Sequence, residues 1–251
     1  MTDLQKTIEK FNFCKHNNDR RLRECLECKK DDDAKKLMEK KDKDERHKRY
    51  LSYLKNNIET LLYGSGVPKR YLNKSYENYK GTKIVEECKK YTLKLSDDNL
   101  LISGKTGCGK THLAVAILRD LIINNNPLAV NKAILNIAKF INLSEFFLEL
   151  REIFRDKSTK TETEIINKYT DVPLLIIDDL GSEKTSEYTI TTLYIIINKR
   201  LNEIKPTIIT TNYSIKDIEH KINSRVSSRL STYKNISINL PDYRKNHHEK
   251  I

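Results

Sequence analysis

The chain reads as an α/β protein built on a parallel sheet, preceded by a small, mainly helical region. Three observations predict this. After Pro68, strand-like stretches alternate with stretches of helical periodicity, as in consecutive strand–helix–strand units. A glycine loop, GKTGCGKT from Gly104 to Thr111, stands between an apolar strand-like run and a helical pattern. The run from Val172 to Ile177 is continuously apolar, which suits a strand covered on both faces.

Residues 1–62 are very polar, and from Leu26 onward they favour helix. Apolar residues thicken only at the end of that stretch, where Tyr50, Leu51, Tyr53, Leu54, Ile58, Leu61 and Leu62 are expected to share one helical face. Gly64-Ser65-Gly66-Val67-Pro68 then breaks the helix, so the domain boundary is placed there: residues 1–62, then 63–251. Ile84–Leu93 reads as a helix, Leu100–Ser103 as the first strand and Lys110–Asn124 as the helix after the glycine loop. Ala138–Ile141 reads as the second strand, and Ser144 as the N-cap of a helix over Glu145–Arg155. The apolar run ending at Ile177 is the third strand, followed by a long helix over Thr185–Ile204 that Pro206 stops. Thr207–Thr211 is β-branched and strand-like. Ser214–Ile222 opens with Ser-x-x-Asp, a capping pattern, and a short helix follows around Arg225–Leu230. A last strand is expected at Ile236–Leu240.

Composition narrows the function classes. The 251 residues allow one or two domains with a substantial core. No apolar run approaches membrane-spanning length, and the N-terminus, MTDLQKTIEKFNF, lacks a signal-peptide core. A cytoplasmic protein without membrane contact is expected. Five cysteines, an odd number, do not suggest a disulfide framework. The net charge of +12 favours a polyanionic partner beyond a nucleotide.

Only seven glycines occur in the chain, and Gly104, Gly107 and Gly109 fall in one loop. Such a loop lets backbone N–H groups wrap a phosphate, and the helix behind it adds the positive end of its dipole. Lys110 is expected to reach the β- and γ-phosphates of ATP, and the Thr111 hydroxyl to ligate Mg²⁺. Lys105, Thr106, Cys108 and His112 complete the expected nucleotide contacts. A thiolate at Cys108 is favoured by the helix N-terminus, which raises redox control as an option. LLIIDD, Leu174 to Asp179, ends a buried strand in acid, at the sheet edge where ligands bind. Asp178 would hold Mg²⁺, directly or through water, and Asp179 would orient or deprotonate the attacking water. Asn212, ending the next strand, is either a turn residue or a hydrogen-bond partner of water or γ-phosphate. Arg225 and Arg229 share one helix face, either solvated or inserted into a neighbouring subunit's ATP site.

The order GKTGCGKT, LLIIDDLGSE, TTN, RVSSRL resembles the AAA+ ATPases of the bacterial DnaC and DnaI type, the replicative helicase loaders. It is similar also to IstB-type transposition ATPases and to phage DnaC-like proteins. GVPKRY (Gly66–Tyr71), the Tyr76–Tyr79 segment, KPTIITTN and the closing Asp242-Tyr243-Arg244 carry the resemblance further, over about residues 63–245. It implies a P-loop core with a five-stranded parallel sheet of order 5-1-4-3-2, helices on both faces and little or no lid. It implies a Walker A site at Lys110 and Thr111, Walker B at Asp178 and Asp179, sensor 1 at Asn212, and an arginine finger at Arg229 with Arg225 beside it. It implies self-association with ATP at subunit interfaces, a helicase bound through residues 1–62, and single-stranded DNA near Ser144–Lys168. In that region Arg151, Arg155, Lys157 and Lys160 are candidate phosphate contacts. Phe146 and Phe147 either stack on bases or pack the helix on the sheet. The alternative function is that of the transposition ATPases, which bind target DNA and activate a transposase.

Cys25-x-x-Cys28 is half of a zinc site that Cys14 and His16 could close, with His47 competing as fourth ligand. Loaders of the DnaI type carry a zinc-binding N-terminal module. Reduced cysteines in a helical arm are the other reading.

Overall fold

The computed structural model describes residues 26–92, 98–124, 138–155, 161–182 and 186–243. The chain divides into two compact units, residues 1–56 and 57–251.

In the first unit, the described residues belong to helix α1, Leu26–Gly64, which continues into the second. The surface of this part is a lattice of charge. Arg46–Asp42 and Arg49–Glu45 are exposed pairs one turn apart, each worth about 0.3–0.5 kcal/mol in a helix. Leu37 and Met38 are exposed on it.

The second unit is a three-layer α/β domain. Helix α1 ends where the sequence predicts a break. The Ser65 carbonyl accepts the Phe140 amide at 2.7 Å, and a Cβ on Gly66 would meet the Phe140 carbonyl oxygen at 2.5 Å. A short 3₁₀ turn (Lys69–Tyr71) leads to α2 (Thr82–Thr92), then β1 (Leu100–Gly104) and α3 (Lys110–Asn124). Next come β2 (Ala138–Asn142), α4 (Leu143–Arg155), α5 (Glu162–Thr170) and β3 (Leu174–Leu180). The described chain closes with α6 (Glu187–Asn202), β4 (Thr207–Thr211), α7 (Ile215–Lys221), α8 (Ser224–Leu230) and β5 (Lys234–Ile238).

All described strands pair in parallel, in the order β2-β3-β4-β1-β5. Read from the other edge this is 5-1-4-3-2, as the resemblance implies. Strand alternation splits the core. Leu101, Leu175, Ile177 and Ile209 join the cluster built with Phe146, Phe147, Leu150, Leu193, Ile196 and Ile197. On the other face α3 packs against β1 and β4, and α2 packs against α3 and β5.

Three local expectations are corrected. Ser144 is not the N-cap of α4: β2 passes into the helix without a loop, and Asn142 Oδ1 accepts the Ser144 amide at 3.0 Å. Strand β5 lies two residues earlier than expected, because Lys234–Ile238 is the stretch in register with Leu100–Gly104. Its polar side chains are tolerated at a sheet edge, and Ser103 Oγ donates to Asn235 Oδ1 at 3.0 Å. Helix α5 was not anticipated, although Thr161 and Glu164 close a reciprocal capping box at its start.

The amino-terminal end of the sheet holds Arg200, which is fully buried. Its Nε donates to Thr207 Oγ1 at 2.9 Å. Its terminal nitrogens donate to the carbonyls of Tyr169, Thr170, Val172, Pro173 and Pro206. One side chain thereby ties together the irregular backbone leading into β3 and β4. Burial pulls the guanidinium pKa down to about 10, against the opposing pull of Tyr233, Glu203 and Asp171.

Candidate nucleotide site

At the opposite end of the sheet, the loop between β1 and α3 turns back under the strand tips. Gly107 and Gly109 have φ values of +79° and +94°, a region that side chains with a Cβ rarely adopt. Space forbids a Cβ as well: at Gly109 it would lie 2.7 Å from the Tyr79 ring, and at Gly107 it would overlap the Asp242 carboxylate. The glycines thus serve both the curvature of the loop and the approach of its neighbours.

Lys110 opens α3 and is buried. Its Nζ donates to the carbonyls of Gly104 (3.0 Å) and Lys105 (2.9 Å) and to Asn212 Oδ1 (2.6 Å). Asn212 Nδ2 donates in turn to Asp179 Oδ1 at 3.1 Å. Thr111 Oγ1 lies 2.9 Å from Asp178 Oδ1 and 3.2 Å from Oδ2. Lys110, Thr111, Asp178, Asp179 and Asn212, predicted from three separate segments, therefore meet. Burial raises the pKa of Asp178, against hydrogen bonds from Thr210 and Thr111 that lower it.

Asp178 and Asp179 are consecutive, yet both reach the site. Pairing between β3 and β4 runs regularly to Ile177↔Ile209, then jumps to Leu180↔Thr211. Two residues of β3 thus stand opposite one of β4, a β-bulge. Asp179 takes the left-handed conformation, φ 62°, at a cost of about 1–3 kcal/mol for a non-glycine residue.

A cleft of about 420 Å³ opens beside these groups. Thr106, Gly107, Lys110 and Thr111 form its floor and Asp178, Asp179 and Asn212 one end. Arg70, Tyr71, Lys74, Asn78 and Tyr79 form the wall supplied by the segment before α2, with Tyr243 beside them. Helix α3 fastens that wall. His112 Nε2 donates to the Ser75 carbonyl at 2.9 Å, and Arg119 donates to the carbonyls of Lys74 and Leu72. Burial lowers the His112 pKa, favouring the neutral ring, whose edge meets Tyr79. Tyr243 closes the wall on the loop: its amide donates to the Gly107 carbonyl (3.1 Å) and its hydroxyl to the Lys80 carbonyl (2.7 Å). Arg119 and Tyr243 were not identified as site residues from sequence.

Other expected residues lie elsewhere. Cys108 is buried, and burial raises its thiol pKa, so the expected thiolate is not favoured. Phe146 and Phe147 are buried in the core, packed on each other, so base stacking by them is excluded. Arg151 is exposed on α4; the Arg155 side chain, Lys157, Lys160 and Arg244 lie outside what is described. Neither Arg225 nor Arg229 lines the cleft of its own chain. Arg225 is exposed, while Arg229 donates to Asn198 Oδ1 (2.9 Å) and the Tyr194 hydroxyl (3.2 Å) on α6. Cys14, His16, Cys25 and the Cys28 side chain also fall outside the described residues. Among the described residues no group of three or more His, Cys, Asp or Glu is placed to hold a metal ion, and no helix is long and apolar enough to cross a membrane.

Comparison with known proteins agrees with this geometry. The family of IstB-like ATP binding proteins matches residues 72–228. The chain is 26% identical over 200 residues to the replicative helicase loader DnaC of Buchnera aphidicola subsp. Baizongia pistaciae, covering 76% of this chain and 77% of that one. It is 25% identical over 173 residues to the replicative helicase loader DnaC of Escherichia coli K12, covering 66% of each. A crystal structure of the DnaC helicase loader superposes with a TM-score of 0.57 at 25% identity, covering 68% of this chain and all of that one. With its phosphate loop, acidic strand end and 5-1-4-3-2 sheet, the chain belongs to the IstB-like ATP-binding proteins, on an AAA+ core of the DnaC type.

Proposed function

We propose that this protein is an ATP-dependent loader of a replicative DNA helicase, acting when DNA replication is initiated. The observation that carries the proposal is the convergence of Lys110, Thr111, Asp178, Asp179 and Asn212 on one cleft, in a chain whose relatives are named replicative helicase loaders.

The chemistry follows from the donors. The Thr111 hydroxyl and Asp178 carboxylate are adjacent hard oxygens, a set that fits Mg²⁺. A Mg²⁺ held by these two groups would supply charge neutralisation to the phosphates of ATP. Lys110 exchanges Asn212 for phosphate oxygens, and the loop amides cradle the β-phosphate. Asp179, held by Asn212, orients the water that attacks the γ-phosphorus in line with the departing ADP oxygen. Arg229, with Arg225 beside it, acts in trans on a neighbouring subunit's ATP; leaving its partners on α6 is the step that assembly must supply. Residues 1–62 bind the helicase and Cys14, His16, Cys25 and Cys28 hold Zn²⁺, while the ATPase domain, residues 63–251, contacts single-stranded DNA.

The test is retention of a replicative helicase by the full chain with ATP, and its loss in Lys110→Ala. Arg229→Ala should bind ATP nearly as the parent does, while hydrolysis in the assembled protein falls by about 10³-fold or more. Unchanged hydrolysis would remove the finger role. Metal analysis of the purified chain decides the zinc assignment. The resemblance to IstB-type proteins carries the alternative, a transposition ATPase that binds target DNA and activates a transposase. Preference for double- over single-stranded DNA at fixed salt, with co-purification of a transposase, would favour it.

A further inference from the structure

Thr210 is the single β4 residue facing the β3 bulge. It is buried, 1% exposed, in a strand buried throughout. Its Oγ1 accepts the amide of Asp179 at 2.9 Å and donates to Asp178 Oδ1 at 2.7 Å. The direction of this relay is fixed, because the amide can only donate and the hydroxyl has one proton to give. One side chain therefore holds both halves of the acidic pair by different means. It fixes the backbone of Asp179, in a conformation that non-glycine residues avoid, and one carboxylate oxygen of Asp178. Its neighbour Thr211 does another task, donating to the Leu180 carbonyl at 2.8 Å where regular pairing resumes.

We propose that Thr210 is the positioning residue that divides the labour of the two acids, turning Asp178 toward Thr111 and the metal and Asp179 toward Asn212 and the water. Without the hydroxyl, Asp178 keeps only its contact with Thr111, and nothing in the side chain compensates the Asp179 amide. The methyl group of Thr210 contributes packing alone. The inference rests on the site being one for Mg²⁺ and ATP.

The experiment compares Thr210→Val, which keeps the shape and loses both hydrogen bonds, with Thr210→Ser, which keeps both. Two quantities are measured on the full chain: the Mg²⁺ titration of binding by a non-hydrolysable ATP analogue, and the rate of ATP hydrolysis. Loss of such an outer-shell partner is expected to weaken Mg²⁺ binding and lower turnover by about 10–100-fold in Thr210→Val. Analogue affinity without Mg²⁺ should stay within about twofold of the parent, since outer-shell partners act through the metal ligand. Thr210→Ser should recover both quantities. Parent-like Mg²⁺ titration in Thr210→Val would overturn the proposal, and so would a Thr210→Ser as defective as Thr210→Val. A parent that binds the analogue and Mg²⁺ without turnover would remove the hydrolytic reading while the titration still decides the role of Thr210. Should Thr210→Val lose its folded circular-dichroism spectrum, the Thr210→Ser titration carries the decision alone.

Discussion

The two ends of the central sheet each bury a cation, Arg200 at the amino-terminal edge and Lys110 at the carboxy-terminal edge. Arg200 spends its donors mainly on backbone carbonyls, which cannot move without moving the strands. Lys110 gives two bonds to carbonyls of a glycine loop and one to the side chain of exposed Asn212. Each end also has a non-glycine residue at positive φ: Ile204 after α6, and Asp179 on β3. Ile204 is 70% exposed, whereas Asp179 is tied to Thr210 and Asn212. Buried charge and strain are therefore not in themselves signs of a site. What separates the two ends is whether the partners can be exchanged for a ligand.

The comparison can be broken at several points. Lys110→Ala should lower ATP turnover by about three orders of magnitude, as loss of a phosphate-stabilising donor does. Its denaturant midpoint should stay close to the parent's; a large fall would make Lys110 structural like Arg200. Arg200→Leu should do the reverse, losing about 3–5 kcal/mol in urea unfolding because buried carbonyls lose their donor. Protein that remains folded should bind nucleotide normally. Gly107→Ala should weaken ATP binding about tenfold or more, through the φ penalty and the overlap with Asp242. Adding Asp242→Ala should recover only part of that loss, leaving the backbone penalty. Ile204→Gly should stabilise by about 0.5–1 kcal/mol, relief of the left-handed conformation less the entropy of glycine. It should leave turnover unchanged.

Much of the site was legible because each motif is local. Gly104–Thr111, Asp178 and Asp179, and Asn212 each end or follow a strand, and a parallel sheet brings strand ends to one edge. The strand order came with the family resemblance rather than from periodicity. Features set by pairing between strands were hidden. The bulge at Asp179 depends on the register of β3 against β4. The shift of β5 depends on the register against β1, and polar Lys234 and Asn235 gave no sign of it. Arg200 stands in a helical run beside Lys199, and nothing in its sequence neighbours marks it as buried. Cys108 was misread because its place at a helix start suggested a thiolate, while its burial decides the opposite. Asn142 displaced Ser144 as cap because no loop separates β2 from α4.

The contact of Tyr243 with Gly107 has a consequence for how the molecule is made. The two residues lie more than half the chain apart, and Tyr243 follows β5, the last of the described strands along the chain. During synthesis the phosphate loop emerges long before the residue that braces it. Until β5 docks beside β1, the loop and the wall at Lys80 have no common support from Tyr243. The mature pocket is thus a late product of folding, and a nascent chain carrying GKTGCGKT is not yet a finished nucleotide binder.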